Sequence, residues 1–220
     1  ENKTAGIALS VLGFGDGNYK DNKLEALANH GDGNYSYIDT IYEARRALVE
    51  ETGATISTVA KDVKPQVDFN PARVIGYRLI GYENRLMQAE DFADDTKDGG
   101  EIGSGHRVTV MYELVPAGSA FDFGAVGSKY STAAPAQDSN AELLTLSIRA
   151  KEPQGDESRL YTYPLKGEAG EMSRDLRFAA AVAEVAMLLR DSEWKGTSAW
   201  DTALTLLRDS GVTGDVYKEE

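Results

Sequence analysis

The sequence predicts a mixed α+β fold, in which a β-α-β-α unit precedes an antiparallel β sheet or sandwich and C-terminal helices. Up to Gly53, apolar runs alternate with stretches of helical apolar spacing, which is typical of an α/β unit. From Val59 onward apolar and polar residues alternate instead, as they do in antiparallel strands. Helical spacing returns only after Gly170, and this order indicates helices that follow a sheet.

Strands are predicted from apolar runs and from alternation. Residues 6–15 form a nearly continuous apolar run that ends in glycines, which indicates a strand buried on both faces of a parallel sheet, and residues 34–38 form a second strand. Apolar residues from Val59 to Phe69 share one parity, and Pro65 marks this strand as an edge strand or a bulged one. Four further strands are predicted around residues 74–82, 108–114, 144–148 and 160–165.

Helix boundaries are predicted from capping residues. Gly31 and Gly53 are expected to end the first two helices, because glycine readily takes the backbone conformation found after a helix. The first C-terminal helix has only a narrow polar stripe and is expected to be largely buried. The predicted N-terminal caps are Asp21, Thr40, Ser173 and Ser198.

The pattern divides the chain into three segments. A length of 220 residues with 41% hydrophobic content suffices for one sizeable core or two smaller ones. We predict a first unit over residues 1–54, a β-rich domain over residues 55–170, and a helical segment over residues 171–220 that packs on the β-rich domain. Two stretches within the β-rich domain are expected to be long loops because of their Gly, Asp, Ala and Ser content, namely 87–105 and 116–140.

Composition excludes several classes of function. A net charge of −13 would repel a phosphate backbone, and no cluster of Lys and Arg interleaved with aromatic residues offsets it, so nucleic-acid binding is not expected. The absence of Cys excludes disulfides, thiolate catalysis and zinc sites that use Cys. No apolar stretch approaches the roughly 20 residues that span a bilayer, and no targeting pattern opens the chain.

Motifs that carry chemistry are weak. The glycines at residues 13–17 lie where a dinucleotide-binding loop would, but Asn18 takes the place of the third glycine, and a tight turn explains them better. The repeat Gly-Asp-Gly-Asn-Tyr at residues 15–19 and 31–35 is likewise interpreted as turn chemistry rather than a calcium loop. His30 and His106, with Ser104, lack the spacing of a catalytic set.

An acidic stretch and three tyrosines each leave two interpretations. Six carboxylates could bind a hard cation, although a solvated acidic loop explains them better: Glu90, Asp91, Asp94, Asp95, Asp98 and Glu101. Tyr77, Tyr82 and Tyr112 form either an exposed recognition surface or, as we favour, half-buried packing on strands.

Runs of consecutive residues resemble the bacterial YfbK-like proteins that carry a von Willebrand factor type A (VWA) domain. In that family a VWA domain, often on a secreted lipoprotein, is followed by a C-terminal domain of unknown function. The matching runs span nearly the whole chain: LGFG at 12–15, GNYSYID at 33–39, AKDVK at 60–64, FNP at 69–71, YRLIGYENR at 77–85, YEL at 112–114 and DLRFAAAV at 175–182.

The resemblance implies that residues 1–54 are the C-terminal portion of a VWA domain, which is Rossmann-like. VWA domains hold a divalent cation with an Asp-x-Ser-x-Ser motif, which does not occur here and is expected upstream of Glu1. We therefore assign no catalytic, cofactor-binding or metal-ligating residue to this chain, and expect Mg or Ca only in a full-length VWA domain.

The functional prediction is a non-catalytic binding or assembly module of a bacterial envelope protein, acting through protein–protein contacts. One alternative is a structural domain that positions the upstream VWA metal site, and another is a metal-dependent hydrolase. We expect an unidentified protein partner and self-association through exposed sheet edges. The resemblance further implies a location in the cell envelope or periplasm, with a lipid anchor added through an upstream signal.

Overall fold

A computed structural model of the chain describes residues 8–15, 17, 20–82, 86–122, 142–167 and 170–219. Helices and mostly antiparallel strands are mixed along these residues, so the predicted α+β class is confirmed. The described residues divide into two compact units. Unit 1 contains those up to Arg78 together with those from 86 to Gly167, and unit 2 contains residues 79–82 and 170–219. The predicted division near residue 54 stays a prediction.

Unit 1 begins with a parallel β-α-β arrangement. Strand β1 (Val11–Phe14) pairs in parallel with β2 (Tyr35–Ile38), and α1 (Asp21–His30) connects them, as predicted. The predicted burial of the first strand on both faces is wrong, because Phe14 is 62% exposed. Among the described helices α1 contacts β1, and one helix can cover only one face of a sheet.

Two of the capping predictions in this part are confirmed and one is wrong. Helix α1 starts at Asp21, after Lys20, and the Asp21 carboxylate accepts a hydrogen bond from the Tyr35 hydroxyl instead of capping the helix. Gly31 ends α1 as predicted. Thr40 precedes α2 (Ile41–Arg45), and its Oγ1 accepts a hydrogen bond from the Glu43 N–H at 3.1 Å.

The helical run after Thr40 does not stop at Gly53 as predicted. A π-helical turn (Arg46–Glu50) follows α2, and α3 (Thr52–Ile56) contains Gly53. The Arg46 guanidinium donates to Glu43 Oε2 at 2.7 Å and to Glu51 Oε1 at 2.6 Å, and so bridges the two sides of the wider turn. The helical run therefore changes type at Arg46 and continues through Gly53, with Arg46 paired to a carboxylate on each side.

The main sheet of unit 1 is antiparallel, with the order β5-β3-β7-β8. Its strands are β3 (Thr58–Phe69), β5 (Gly100–Gly103), β7 (Leu144–Lys151) and β8 (Ser158–Leu165). The register of β3 against β7 shifts between Lys61 and Lys64, which confirms the predicted bulge. Pro65 lies beyond the part of β3 that pairs with β5, so its missing N–H removes no hydrogen bond on that side.

The first predicted long loop is partly wrong. Residues 87–105 contain a 3₁₀-helical turn (Ala89–Ala93) and strand β5. Glycines make this pairing possible because the backbones approach closely, and a Cβ atom on Gly103 would lie 1.7 Å from the carbonyl oxygen of Ala54. Of the second predicted loop, residues 117–122 contain no helix or strand, and residues 123–140 lie outside the described residues.

Strands β4 (Val74–Ile80) and β6 (Met111–Pro116) form a separate two-stranded sheet. The ring of Phe69 lies 4.6 Å from that of Tyr77 and 5.2 Å from that of Tyr112. Burial raises the pKa of the Tyr112 hydroxyl above its usual value of 10.0. Tyr112 is therefore half-buried and packs against Phe69, as predicted. Tyr77 and Tyr82 are exposed, so the prediction of half-buried packing is wrong for these two.

Unit 2 is built mainly from α4 (Arg174–Leu189) and α5 (Trp200–Asp209). Ser173 caps α4 as predicted, with its Oγ 3.1 Å from the Leu176 N–H. The predicted burial of most of α4 is wrong, because Val182 and Leu189 are exposed. The predicted packing of this segment on the β-rich domain stays a prediction.

The start of α5 differs from the prediction. Ala199, not Ser198, is the residue before the helix, and its N–H is hydrogen-bonded by Thr202 Oγ1 at 3.0 Å. The buried Glu184 of α4, 8% exposed, accepts from the same N–H at 3.3 Å and from the Thr202 hydroxyl. The Glu184 carboxylate and the Thr202 hydroxyl therefore satisfy the N–H of the cap residue, which in the predicted capping box would bond the side chain of the third helix residue. Among the described residues, no helix is long and apolar enough to cross a membrane.

Candidate functional site

The bulge in β3 places Asp62 at the centre of a polar network. Asp62 has a φ of 51°, a left-handed conformation that Asp tolerates better than most residues. Its Oδ2 accepts a hydrogen bond from Lys151 Nζ at 2.7 Å, and its Oδ1 accepts from the Gly99 N–H at 3.2 Å. A Cβ atom on Gly99 would lie 2.9 Å from the Asp62 Cα, so this contact requires glycine.

The Asp62–Lys151 contact changes the pKa of both groups. Burial acts to raise the pKa of Asp62, but the hydrogen bonds from Lys151 and Gly99 outweigh it and hold this pKa below its usual value of 3.8. The hydrogen bond to Asp62 raises the pKa of Lys151 above its usual value of 10.5. Both shifts favour the charged forms, so the pair is an ion pair at neutral pH.

The lowered pKa of Asp62 predicts that the pair is lost in acid. A carboxyl group whose pKa is lower in the folded state stabilises the fold above its unfolded pKa, and this contribution falls as the pH drops from 3.8 toward the folded value. The free energy of unfolding, measured with urea between about pH 5 and pH 3, should fall more steeply for the wild type than for Asp62→Asn. Parallel pH profiles for the two proteins would contradict this prediction.

A cluster of three carboxylates lies beside the bulge. One carboxylate oxygen from each of Asp32, Asp98 and Glu101 lies within 4.8 Å of the other two. Asp32 and Glu101 are half-buried and Asp98 is exposed. Carboxylate oxygens are the ligands that Ca²⁺ and Mg²⁺ prefer, so this cluster has suitable chemistry for a hard cation.

The six carboxylates of the acidic stretch do not form one cage. Only Asp98 and Glu101 join the cluster. Asp91 pairs with Lys97 at 3.3 Å, Asp94 accepts from the Thr96 N–H at 2.9 Å, and Asp95 accepts from the Ser158 N–H at 3.2 Å, all within the described residues.

The acidic stretch is also anchored to the sheet through its backbone. Lys64 Nζ donates to the Asp94 carbonyl oxygen at 2.5 Å, and Lys151 Nζ donates to that of Asp95 at 2.8 Å. The stretch is therefore held against β3 and β7 rather than being a free acidic loop.

Asp32 is the member that sequence reasoning missed, because it is far from Asp98 in the chain and was interpreted as a turn residue. That interpretation of the backbone is sound, since Asp32 has a φ of 52° directly after α1. The only sequence signal was the second copy of Gly-Asp-Gly-Asn-Tyr, at residues 31–35. The first copy contains residues 16, 18 and 19, which lie outside the described residues.

His30, His106 and Ser104 are not brought together as a catalytic set. His30 lies in the last turn of α1, with Nδ1 2.7 Å from the Ala26 carbonyl oxygen. Ser104 and His106 are exposed after β5, where the Ser104 N–H donates to the Ser57 carbonyl oxygen at 2.8 Å. Among the described residues, none of these three side chains hydrogen-bonds another of them.

The main sheet also carries an open groove of about 310 Å³, lined mostly by apolar side chains together with Lys151 and Glu152. The apolar residues of β7, such as Ile148 and Ala150, alternate with Arg149 and Lys151, so the two faces of the sheet differ in polarity. The groove lining includes Val63, Ile102, Ile148, Ala150, Tyr161 and Tyr163.

Comparison with known proteins places this chain in a family. The family model described as "Uncharacterized protein YfbK, C-terminal" matches residues 54–220. The chain belongs to the YfbK C-terminal family. It is 41% identical over 198 residues to the uncharacterized protein YfbK of Escherichia coli (strain K12), an alignment that covers 90% of this chain and 34% of YfbK. The chain thus spans about a third of that relative's length, and no solved structure matches it.

The region matched to the YfbK C-terminal family contains most of the site. Asp62, Gly99 and Lys151 lie within it, as do Asp98 and Glu101. Asp32 lies in the portion before it. The carboxylate cluster therefore contains residues of both the YfbK C-terminal region and the preceding β-α-β arrangement, within unit 1.

Proposed function

We propose that this chain is a non-catalytic binding or assembly module of a bacterial envelope protein, and that it acts through protein–protein contacts. In this proposal residues 1–54 are the C-terminal portion of a VWA domain. The envelope location, and a lipid anchor added through an upstream signal, are parts of the same proposal. The observation that carries it is the exposed apolar surface of residues 8–56.

Large apolar side chains in this part of unit 1 face solvent. Ile41 and Ile56 are each 78% exposed, and Val49 is 68% exposed, besides Phe14 on β1. Burying apolar surface stabilises a complex by roughly 25 cal/mol per Å². Exposed apolar side chains of this size, in a chain with a net charge of −13, favour contact with another polypeptide over contact with nucleic acid.

A photo-crosslinking amino acid at Ile41 or Ile56, in a full-length protein inside bacteria, tests the proposal. Crosslinks to a different protein are expected at both positions, with few at the exposed Lys23 of α1 as the matched control. Crosslinks only within the same polypeptide would instead support the alternative of a structural domain that positions the VWA metal site. Equal, low crosslinking at all three positions would contradict both.

The cluster of Asp32, Asp98 and Glu101 favours a second candidate, a divalent-cation site. If the chain is a metal-dependent hydrolase, these carboxylates would hold the ion that activates water. Binding of Ca²⁺ or Mn²⁺ at 100 times its Kd should stabilise the fold by about 2.7 kcal/mol, which raises the Tm by several degrees.

Thermal unfolding of the wild type with excess cation, and with chelator, measures this effect. Asp98→Asn should remove the increase, whereas Asp91→Asn, which changes a carboxylate outside the cluster, should retain it. An unchanged Tm of the wild type in excess cation would rule out the second candidate.

A further inference from the structure

Strand β8 is one of the two edges of the main sheet and exposes Leu160, Tyr161, Tyr163 and Leu165 to solvent. Its neighbour in the described sheet is β7 on one side, and every residue from Arg159 to Leu165 is exposed. The eight residues carry a single charge, on Arg159, in a chain with a net charge of −13. Edge strands of this kind are open to pairing with a further strand.

Two hydrogen bonds and one proline show which backbone groups of β8 point away from β7. The carbonyl oxygen of Leu165 accepts from the Leu143 N–H at 2.8 Å, so Leu165 faces β7. The Ser158 N–H donates to the Asp95 carboxylate instead, and Pro164 has no N–H. Successive residues of a strand direct their backbone N–H and C=O groups to opposite sides. The N–H and C=O groups of Leu160 and Thr162 therefore point away from β7, at the centre of the edge.

We propose that β8 pairs antiparallel with β8 of a second copy of this chain, which joins two four-stranded sheets into one. One register satisfies all the outward N–H and C=O groups of Leu160 and Thr162. In it, Leu160 lies opposite Thr162 of the second copy, and Tyr161 lies opposite Tyr161 of the second copy. This register forms four backbone hydrogen bonds about a two-fold axis. The inference goes beyond the proposed function and does not depend on it.

The charges around β8 favour a second copy as the occupant. No carboxylate lies within the strand, so two acidic chains can approach here without opposing acidic groups. The register places Arg159, which lies 3.8 Å from Glu152 in its own copy, beside the Tyr163 ring of the second copy, which suits a cation–π contact. It also brings Lys166, just after the strand, near Asp156 of the second copy, whose fully exposed carboxylate lies 3.9 Å from Lys61 of that copy.

The same register extends the apolar groove. Tyr161 and Tyr163 line the outer side of the groove on β8, and pairing would add the same two rings from the second copy. The Asp95 contact at one end and Pro164 at the other restrict pairing to the centre of the strand. The expected dimer is therefore weak and reversible.

Sedimentation equilibrium over a range of protein concentrations tests the pairing. Thr162→Pro removes an outward N–H in each copy and should raise the dimer Kd about tenfold or more, because it deletes two of the four hydrogen bonds. Thr162→Val retains the N–H and should dimerise as the wild type does. Circular dichroism should show the same strand content for all three proteins.

Exchanging the charges of Lys166 and Asp156 tests the pairing without changing the strand itself, in case Thr162→Pro disturbs it. Lys166→Asp should weaken the dimer, and the double variant Asp156→Lys/Lys166→Asp should restore it. A wild type that remains monomeric at millimolar concentration would overturn the inference. So would equal dimerisation of Thr162→Pro and Thr162→Val in folded proteins, or a charge exchange that fails to restore the dimer.

Discussion

Gly103→Ala is expected to lower the free energy of unfolding by about 3 kcal/mol, because β5 and α3 leave no room for a methyl group. A Cβ atom at Gly103 would lie 1.7 Å from the carbonyl oxygen of Ala54 and 2.3 Å from its carbonyl carbon. Both obstacles are backbone atoms, so α3 must move away from β5. Urea unfolding of the wild type and the variant measures the change.

Gly100→Ala is the matched control for this prediction. Gly100 belongs to the same strand, and a Cβ atom there would have nothing within 4 Å. Its expected effect is within about 0.5 kcal/mol of zero. If both variants lose similar stability, the close approach of β5 to α3 is not what the Gly103 variant disturbs.

Asp62→Ala is expected to lower the free energy of unfolding by about 2–4 kcal/mol. This is less than the loss expected on breaking a fully buried ion pair, because water reaches both side chains. The variant leaves the Lys151 ammonium, whose side chain is 10% exposed, without its carboxylate, and the Gly99 N–H without its acceptor. It also places alanine at a φ of 51°. Thermal or urea unfolding at pH 7 measures the loss.

Two comparisons separate the ion pair from the backbone strain. Asp62→Asn retains a polar side chain that tolerates positive φ and should lose less stability than Asp62→Ala. The double variant Asp62→Ala/Lys151→Met should lose less than the sum of the two single variants, because the second change removes the unpaired charge. Strictly additive losses would show that Asp62 and Lys151 do not interact.

Local patterns in the sequence predicted most strands but not how they meet. The parity of Leu144, Leu146 and Ile148 identified β7, and the apolar runs identified β1 and β2. The bulge at Asp62 was expected only from the neighbouring Pro65. Its contact with Lys151 depends on the sheet order, which alternation does not encode.

The errors at helix ends and at the carboxylate cluster have the same physical origin. Ser198 matches a capping pattern, yet Glu184 of the neighbouring helix bonds the Ala199 N–H and sets the start of α5 one residue later. Asp32 and Asp98 likewise come together only through the fold. Tertiary contacts decided these positions, and the sequence patterns, including the repeated Gly-Asp-Gly-Asn-Tyr at residues 31–35, do not specify those contacts.

The exposed apolar side chains of α2, the π-helical turn and α3 are expected to contact a different protein in the native setting. Hydrogen exchange of amides 41–56 in a full-length protein, compared between the purified protein and the same protein in its envelope, tests this most directly. We expect slower exchange in the envelope, with unchanged exchange in α5 as the internal reference. Equal exchange of amides 41–56 in both settings would contradict the proposed protein–protein contact.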